Sequence, residues 1–157
     1  MSVRHAMSHS FLSSDKAMAS SSTSSNPVVE HALQSGQDLV KLRTAVRELA
    51  VEIGLNLIEQ TKMLTAASEL AHNTVRYGGG GEVRIAMLTN GLQRGLRITF
   101  IDRGPGITDV ALAMKDGYSS GTGLGFGLGG AKRLADEFEL VTEPGVGTTV
   151  TITKWNK

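Results

Sequence analysis

Apolar residues recur at intervals of three and four in the first part of the chain. Between positions 39 and 53 they are Leu39, Leu42, Val46, Leu49 and Ile53. This spacing places all five on one face of a helix. Ser35, just before the pattern, is a typical helix N-cap, and Gly54 ends the helix. A short strand, 28–33, is predicted ahead of it.

A second helix is predicted from about Leu57 to Tyr77. Its buried face is expected to carry Met63, Ala67, Leu70 and Thr74. Four consecutive glycines at 78–81 then stop the helix, because glycine favours chain conformations outside it.

Beyond the glycines the apolar period changes from three or four to two. Val83, Ile85 and Met87 alternate in one predicted strand, and 96–100 forms the next, with the hairpin signal Asn90-Gly91 between them. A short helix at 107–115, a helix at 127–136 and strands at 138–142 and 148–154 complete the pattern. This order predicts an α+β fold, a two-layer sandwich of helices on a largely antiparallel mixed sheet.

The first 26 residues have a different composition. Serine dominates them and culminates in the run Ser-Ser-Ser-Thr-Ser-Ser at 20–25. Such a segment has little apolar area to offset the entropy lost on ordering. We therefore expect residues 1–26 to be a disordered tail and residues 27–157 to form one domain.

Composition excludes several functional classes. Hydrophobic residues make up 40% and charged residues 20%, which are globular values. The formal net charge of +1 does not favour a nucleic-acid partner, and no apolar run approaches the roughly 20 residues of a membrane-spanning helix. The absence of cysteine excludes disulfides and thiolate metal sites. These features predict a cytoplasmic protein with neither nucleic acid nor membrane as its partner.

Two short polar motifs can bind a nucleotide. Glu69 and Asn73 are four residues apart and so share one face of the second helix. Asp102 follows a predicted strand, where its carboxylate can accept the exocyclic amine of adenine, and Gly104 and Gly106 allow a ligand to approach the backbone closely. Taken singly, each motif has an ordinary explanation, as a solvent-facing helix pair and as a turn.

A glycine-rich segment, 121–130, opens the predicted helix at 127–136. Backbone N–H groups at such a helix start can bind phosphate oxygens. The segment contains G-x-G-x-x-G, but no βαβ unit surrounds it, so a Rossmann site is rejected. A Walker P-loop is also excluded, because the chain has no Gly-Lys-Ser/Thr. A fourth segment, 145–150, is a turn that leads into a strand.

In this order, the four segments resemble the N, G1, G2 and G3 boxes of the GHKL superfamily, which includes DNA gyrase, Hsp90, histidine kinases and MutL proteins. The resemblance covers nearly all of 28–155. Within the superfamily, segments 116–125 and 128–138 look like those of the small serine/threonine switch kinases and anti-sigma-factor kinases. An arginine that some of these kinases carry before the G2 glycines has no counterpart at 119–122.

The resemblance implies a serine/threonine protein kinase that uses ATP and Mg²⁺. Glu69 would be the general base on the acceptor hydroxyl, and Asn73 would hold Mg²⁺ at the ATP phosphates. Asp102 would bind the adenine amine. The remaining nucleotide-binding positions implied are Gly104, Gly106, Thr148 and Thr149 around the adenine pocket, and Gly123, Leu124, Gly125, Phe126 and Gly127 in a lid over the phosphates.

The resemblance also implies a protein partner. The leading interpretation is a kinase that phosphorylates a STAS-domain (RsbS-like) antagonist in a partner-switching stress pathway and then binds a downstream phosphatase. The alternative is an anti-sigma factor that sequesters a sigma subunit and phosphorylates its anti-anti-sigma factor. A detached histidine-kinase ATPase domain fits less well, because none of the four histidines is followed by Glu or Asp.

Overall fold

A five-stranded sheet forms one layer of the protein in the computed structural model, which describes residues 23–115 and 127–157. The strands stand in the order β1-β2-β3-β5-β4, and every described pair is antiparallel. No parallel pair of the expected mixed sheet occurs among these residues. The strands are β1 Thr23–Leu33, β2 Gly81–Asn90, β3 Gln93–Asp102, β4 Glu137–Glu143 and β5 Gly147–Trp155.

Two long helices form the second layer, and their starts follow from local side-chain chemistry. Ser35 and Asp38 form a reciprocal capping box at the first helix, and Asn56 Oδ1 accepts a 2.9 Å bond from the Glu59 N–H at the second. The helices are α1 Gly36–Glu52, α2 Leu57–Arg76, α3 Val110–Ala113 and α4 Gly127–Leu134. None of the helices in the described ranges is long and apolar enough to span a membrane.

The core lies between the helices and one face of the sheet. Met63 and Leu70 of α2 pack with the inward residues Ile85, Ile98 and Phe100, and each is at most 1% exposed. Removal of this apolar area from water is the main stabilising term. The predicted helical stripes and alternating strands are confirmed, and the hairpin turn falls at Gly91, whose φ of 63° suits glycine.

The predicted boundary between tail and domain is wrong by four residues. β1 begins at Thr23, and 23–26 pair with Met87–Asn90 of β2 before a register shift between Pro27 and Val29. Antiparallel pairing uses backbone N–H and C=O groups, so a stretch of polar side chains can extend a strand without burying apolar area. Residues 1–22 lie outside the described ranges, and their disorder stays a prediction.

The predicted helix at 107–115 is also shorter than expected. Only Val110–Ala113 is helical, a single turn capped by Asp109, whose Oδ1 accepts from the Leu112 N–H at 3.0 Å. Val110 is its only buried residue. The segment therefore follows the cavity wall described below and adds little to the core.

Candidate functional site

A cavity of about 460 Å³ opens where β3 ends and β5 begins, between α2 and the segment around α3. Its walls combine apolar side chains with a few polar groups, which is the usual composition of a small-molecule site. The apolar wall includes Leu70, Phe100, Ile107, Leu128 and Val150. The polar groups include Glu69, Asn73, Asp102 and Thr148.

The C-terminal half of α2 places Glu69 and Asn73 on the cavity. Leu70 and Thr74, each one position further along the helix, are buried, whereas Glu69 and Asn73 are partly exposed and line the cavity. The backbone carbonyl of Asn73 accepts from the Tyr77 N–H at 2.9 Å and from the Gly78 N–H at 3.2 Å, and these bonds end the helix. Within 23–115 and 127–157, no group hydrogen-bonds to the Glu69 carboxylate or the Asn73 side-chain amide. Both can therefore interact with a ligand.

Asp102 lies at the end of β3 with one carboxylate oxygen occupied. Its Oδ1 accepts from the Gly104 N–H at 2.9 Å and the Thr148 N–H at 3.3 Å. These two bonds orient the carboxylate, and no described group bonds to Oδ2. The second oxygen can accept a ligand N–H, such as an exocyclic amine, in a charge-assisted hydrogen bond.

Glycines surround this carboxylate because nothing larger fits. A Cβ on Gly78 would lie 2.5 Å from Asp102 Cγ, and one on Gly104 would lie 2.8 Å from the Gly78 Cα. A Cβ on Gly147 would overlap the Asp102 carbonyl oxygen. Gly106 has a φ of 76°, which favours glycine. The predicted roles of Gly104 and Gly106 in shaping the pocket are consistent with these contacts.

A threonine pair supports the same end of the sheet. The Thr142 and Thr148 hydroxyls are 2.9 Å apart, and Thr142 Oγ1 also accepts from the Ile107 N–H at 2.9 Å. These bonds join β4, β5 and the loop after β3. Thr149 does not line the cavity, because neighbouring strand residues point to opposite faces and Thr148 and Val150 take the cavity side. Of the two threonines predicted to support the pocket, the geometry therefore favours Thr148.

The start of α4 closes one side of the cavity. Gly127, with φ 45°, and Leu128 both line it, and α4 packs against α2. The other predicted lid residues, Gly123, Leu124, Gly125 and Phe126, lie outside the described residues. Their role stays a prediction.

Gly78 and Thr142 support this site, although the sequence pattern did not assign either residue to it. Gly78 was assigned only to helix termination, although it lies against Asp102. Gly78 is the first glycine after the helix that carries Glu69 and Asn73, and this position is the sequence signal that could have identified it. Thr142 is fully buried, and only the register of β4 with β5 shows that it meets Thr148.

The oxygen donors suit a magnesium ion that arrives with phosphate groups. Among the described residues, no three His, Cys, Asp or Glu side chains cluster as a protein metal cage would require. Mg²⁺ commonly takes only one or two protein oxygens and completes its shell with water and phosphate. The unbonded Asn73 amide at the cavity wall fits that role.

Fold and site together define a GHKL-type ATPase. Residues 58–156 match the family described as histidine kinase-, DNA gyrase B- and HSP90-like ATPase, and the chain belongs to that family. It is 42% identical over 118 residues to the serine/threonine-protein kinase RsbT of Bacillus subtilis strain 168, covering 75% of this chain and 89% of RsbT. The predicted family and fold class are confirmed.

More distant relatives carry a second name. The chain is 29% identical over 130 residues to the anti-sigma F factor of Thermoanaerobacter sp. strain X514, covering 78% of this chain and 89% of that protein. It also resembles a crystal structure of the RsbU and RsbW domains of a Mycobacterium tuberculosis protein, with a TM-score of 0.55 and 22% identity. That match covers 83% of this chain but only 34% of the solved one, and it supports the fold alone.

Proposed function

We propose that this protein is an ATP-dependent serine/threonine protein kinase that phosphorylates a STAS-domain antagonist protein in a partner-switching stress pathway. The observation that carries the proposal is the pair Glu69 and Asn73, which face one cavity without described partners, while Asp102 offers a free oxygen in the same cavity. The identity of 42% to a protein named as a serine/threonine kinase supports the reaction class. We place the protein in the cytoplasm.

The adenine end of the site is the Asp102 end. Oδ2 accepts the exocyclic amine, while the bonds from the Gly104 and Thr148 N–H groups hold the carboxylate in orientation. Phe100 and Val150 belong to the apolar wall of the cavity and would contact the purine faces. Because Gly78 and Gly147 carry no side chain, the carboxylate keeps its place at the strand end.

The phosphate end of the site is the Glu69 and Asn73 end. Glu69 accepts the proton from the attacking hydroxyl of a serine or threonine, which is general-base catalysis. The Asn73 amide oxygen would hold Mg²⁺, which when bound neutralises charge on the ATP phosphates. The N–H groups at the start of α4 would favour the same phosphates. Positioning and charge neutralisation supply most of the rate in phosphoryl transfer.

A second candidate uses the same site. The identity of 29% over 130 residues to proteins named anti-sigma F factor supports an anti-sigma factor that sequesters a sigma subunit and phosphorylates its anti-anti-sigma factor. The chemistry is identical, so the two candidates differ only in the protein that the kinase holds. In the first candidate function, the kinase binds a downstream phosphatase once it is released from the antagonist.

Two variants separate binding from catalysis. Glu69→Gln should bind ATP with wild-type affinity but transfer phosphate roughly 10²–10⁴-fold more slowly, the usual contribution of a general base. Asp102→Asn should weaken ATP binding at least about tenfold, or 1.4 kcal/mol. The measurements are transfer from γ-labelled ATP to STAS-domain proteins of the source organism, and calorimetric ATP titration of the same samples.

The outcomes are distinct for each claim. Wild-type transfer by Glu69→Gln would remove the catalytic assignment, and unchanged ATP affinity in Asp102→Asn would remove the adenine assignment. A wild-type protein that transfers phosphate to no STAS protein yet binds a sigma subunit tightly would favour the anti-sigma candidate.

A further inference from the structure

Four large apolar side chains are exposed along α1 and at the start of α2. Val40 and Val51 of α1 are 63% and 57% exposed, and Leu57 and Ile58 of α2 are 75% and 67% exposed. Val40 and Val51 are eleven positions apart, close to three full helical turns, so they share one side of α1. The turn 53–56 brings the end of that side next to the start of α2.

Two arginines lie on the same side of α1. Arg43 and Arg47 fall between Val40 and Val51 at spacings of three and four residues. The Arg43 Nη1 donates to Ser68 Oγ on α2 at 2.8 Å, which shows that this side of α1 borders α2. We call the surface formed by Val40, Arg43, Arg47, Val51, Leu57 and Ile58 the α1–α2 face.

Among the residues that the structure describes, no ion pair compensates the positive charge of the α1–α2 face. Arg43 bonds only to a neutral hydroxyl, and no carboxylate within the described ranges pairs with either arginine. By contrast, the exposed Arg84 on β2 pairs with Glu30 and Glu82 at 3.1 and 2.9 Å. Exposed apolar side chains beside unpaired cations suit a protein surface whose apolar patch is flanked by Asp or Glu.

The charges also disfavour two other occupants. A two-fold symmetric dimer through this face would bring the arginines of one copy toward those of the other. An anionic membrane surface is typically recognised by a cluster of four to eight Lys or Arg residues, whereas this face has two.

The α1–α2 face continues into the catalytic side of α2. Ile58 and Glu69 are also eleven positions apart, so they lie on the same side of the helix at a distance of roughly 17 Å along its axis. A folded domain of about 100 residues has a radius of gyration near 13 Å, so one domain can cover both points. A protein that delivers its hydroxyl to Glu69 is therefore large enough to contact the α1–α2 face in the same complex.

We propose that the α1–α2 face is the docking surface for the protein substrate, and that the substrate meets it with an apolar patch flanked by carboxylates. This inference rests on the proposed kinase function. It adds a contact remote from the phosphates, so the face determines which protein is phosphorylated and leaves ATP binding untouched.

The test uses one charge variant and one apolar variant, each with a matched control. The double variant Arg43→Glu/Arg47→Glu and the variant Ile58→Ser should each raise the KM for a STAS-domain substrate protein, the double variant at least tenfold. kcat and ATP affinity should stay within twofold of wild type. The controls are Arg84→Glu on the sheet and Leu92→Ser, whose side chain in the β2–β3 turn is fully exposed. Both should leave the substrate KM unchanged.

The possible results separate this inference from the proposed function. Substrate KM values unchanged in both face variants, with active wild-type kinase, would overturn the docking surface and leave the kinase intact. No transfer by the wild type to any STAS-domain protein would overturn both. A wild-type dimer that the double variant dissociates, or binding to phosphatidylserine vesicles that it abolishes, would reassign the face. Surface variants should melt close to wild type, so a large drop in Tm is answered with the milder pair Arg43→Gln/Arg47→Gln, judged by the same KM criterion.

Discussion

The same three elements build two polar clusters at opposite ends of the molecule. At the cavity end they contribute side chains or backbone that face a ligand site. At the other end they contribute groups that neutralise one another. The elements are α2, α4 and β5. At the cavity they contribute Glu69, Asn73, Gly127 and Thr148. At the far end they contribute Glu59, the Leu134 carbonyl and Lys154. The two β5 residues are six positions, or roughly 20 Å, apart.

The far cluster is centred on a buried lysine. Lys154 is 3% exposed, and its Nζ lies 3.0 Å from Glu59 Oε1, 2.9 Å from the Leu134 carbonyl oxygen and 3.6 Å from Asp136 Oδ1. The other Asp136 oxygen accepts from the Trp155 N–H at 2.8 Å. The hydrogen bond from Lys154, assisted by Lys62, holds the pKa of Glu59 below its ordinary value.

The contrast shows how one fold separates stability from function. A buried cation is tolerated only where partners surround it. Lys154, near the end of β5, contacts the start of α2 through Glu59, the end of α4 through the Leu134 carbonyl, and Asp136 just before β4. At the cavity, Glu69, Asn73 and one Asp102 oxygen lack described partners, which adds nothing to folding but leaves them free for ATP. Variants at the two ends should therefore affect different measurements.

The largest effect is expected from Lys154→Met. Loss of the cation removes the partner that Glu59 and Asp136 share. This should lower the unfolding free energy by about 3 kcal/mol, the lower end for a broken buried ion pair, because both carboxylates keep some contact with water. Urea denaturation measures this loss. ATP affinity of the folded protein should stay within twofold of wild type.

Lys157→Met is the matched control for that variant. Lys157 also lies 3.6 Å from Asp136 Oδ1, but its side chain is 70% exposed. An exposed pair contributes little, so the cost should be below about 1 kcal/mol. Equal costs for the two variants would show that burial of Lys154 contributes nothing to the cluster.

Gly78→Ala should produce the converse pattern at the cavity. Its new Cβ would lie 2.5 Å from Asp102 Cγ and 2.6 Å from Oδ2, so the carboxylate must move. We expect ATP affinity to fall about thirtyfold, near 2 kcal/mol, as measured by calorimetry. Gly36→Ala, where a Cβ meets nothing within 4 Å, should bind ATP normally. Wild-type affinity in Gly78→Ala would place adenine away from Asp102.

The far cluster should also respond to acid. Because the folded-state pKa of Glu59 is below 4.5, its stabilisation is complete above pH 4.5 and is lost as the pH falls through the folded pKa. At pH 7, wild type should exceed Glu59→Gln by about 1.5 kcal/mol, the lower range for a charged hydrogen bond. Denaturation of both proteins from pH 7 to pH 3 measures the difference. A wild-type advantage that grows in acid would contradict the ion pair.

The smallest effect concerns the start of β1. Deletion of 1–26 removes four residues that pair with Met87–Asn90, whereas deletion of 1–22 leaves those pairs in place. The longer deletion should be less stable by about 1 kcal/mol, a few degrees in Tm, with equal ATP affinity for both. Identical Tm values would show that these pairs do not contribute to folding.

Sequence periodicity was sufficient for most of the fold and much of the candidate site. The α1 stripe, the α2 face, the β2–β3 hairpin and the final strand pair all depend on local spacing, and each is present. The spacing of Glu69 and Asn73 placed both on one side of a helix, and both line the cavity. Position 102 after a strand likewise put a carboxylate at the end of the sheet.

Tertiary structure alone decided the remaining features. Thr148 and Thr149 are the same residue type, and only the orientation of β5 in the sheet shows that Thr148 is on the cavity side. The polar residues at 23–26 join the sheet because β2 offers unpaired backbone groups, a property of the neighbouring strand and not of their own sequence. From its sequence alone, Lys154 would be assigned to the surface, as most lysines are. In the structure it is buried and contacts Glu59, 95 positions earlier in the chain. Local spacing encodes which way a segment faces, whereas partners distant in sequence become neighbours only when the sheet and helices pack.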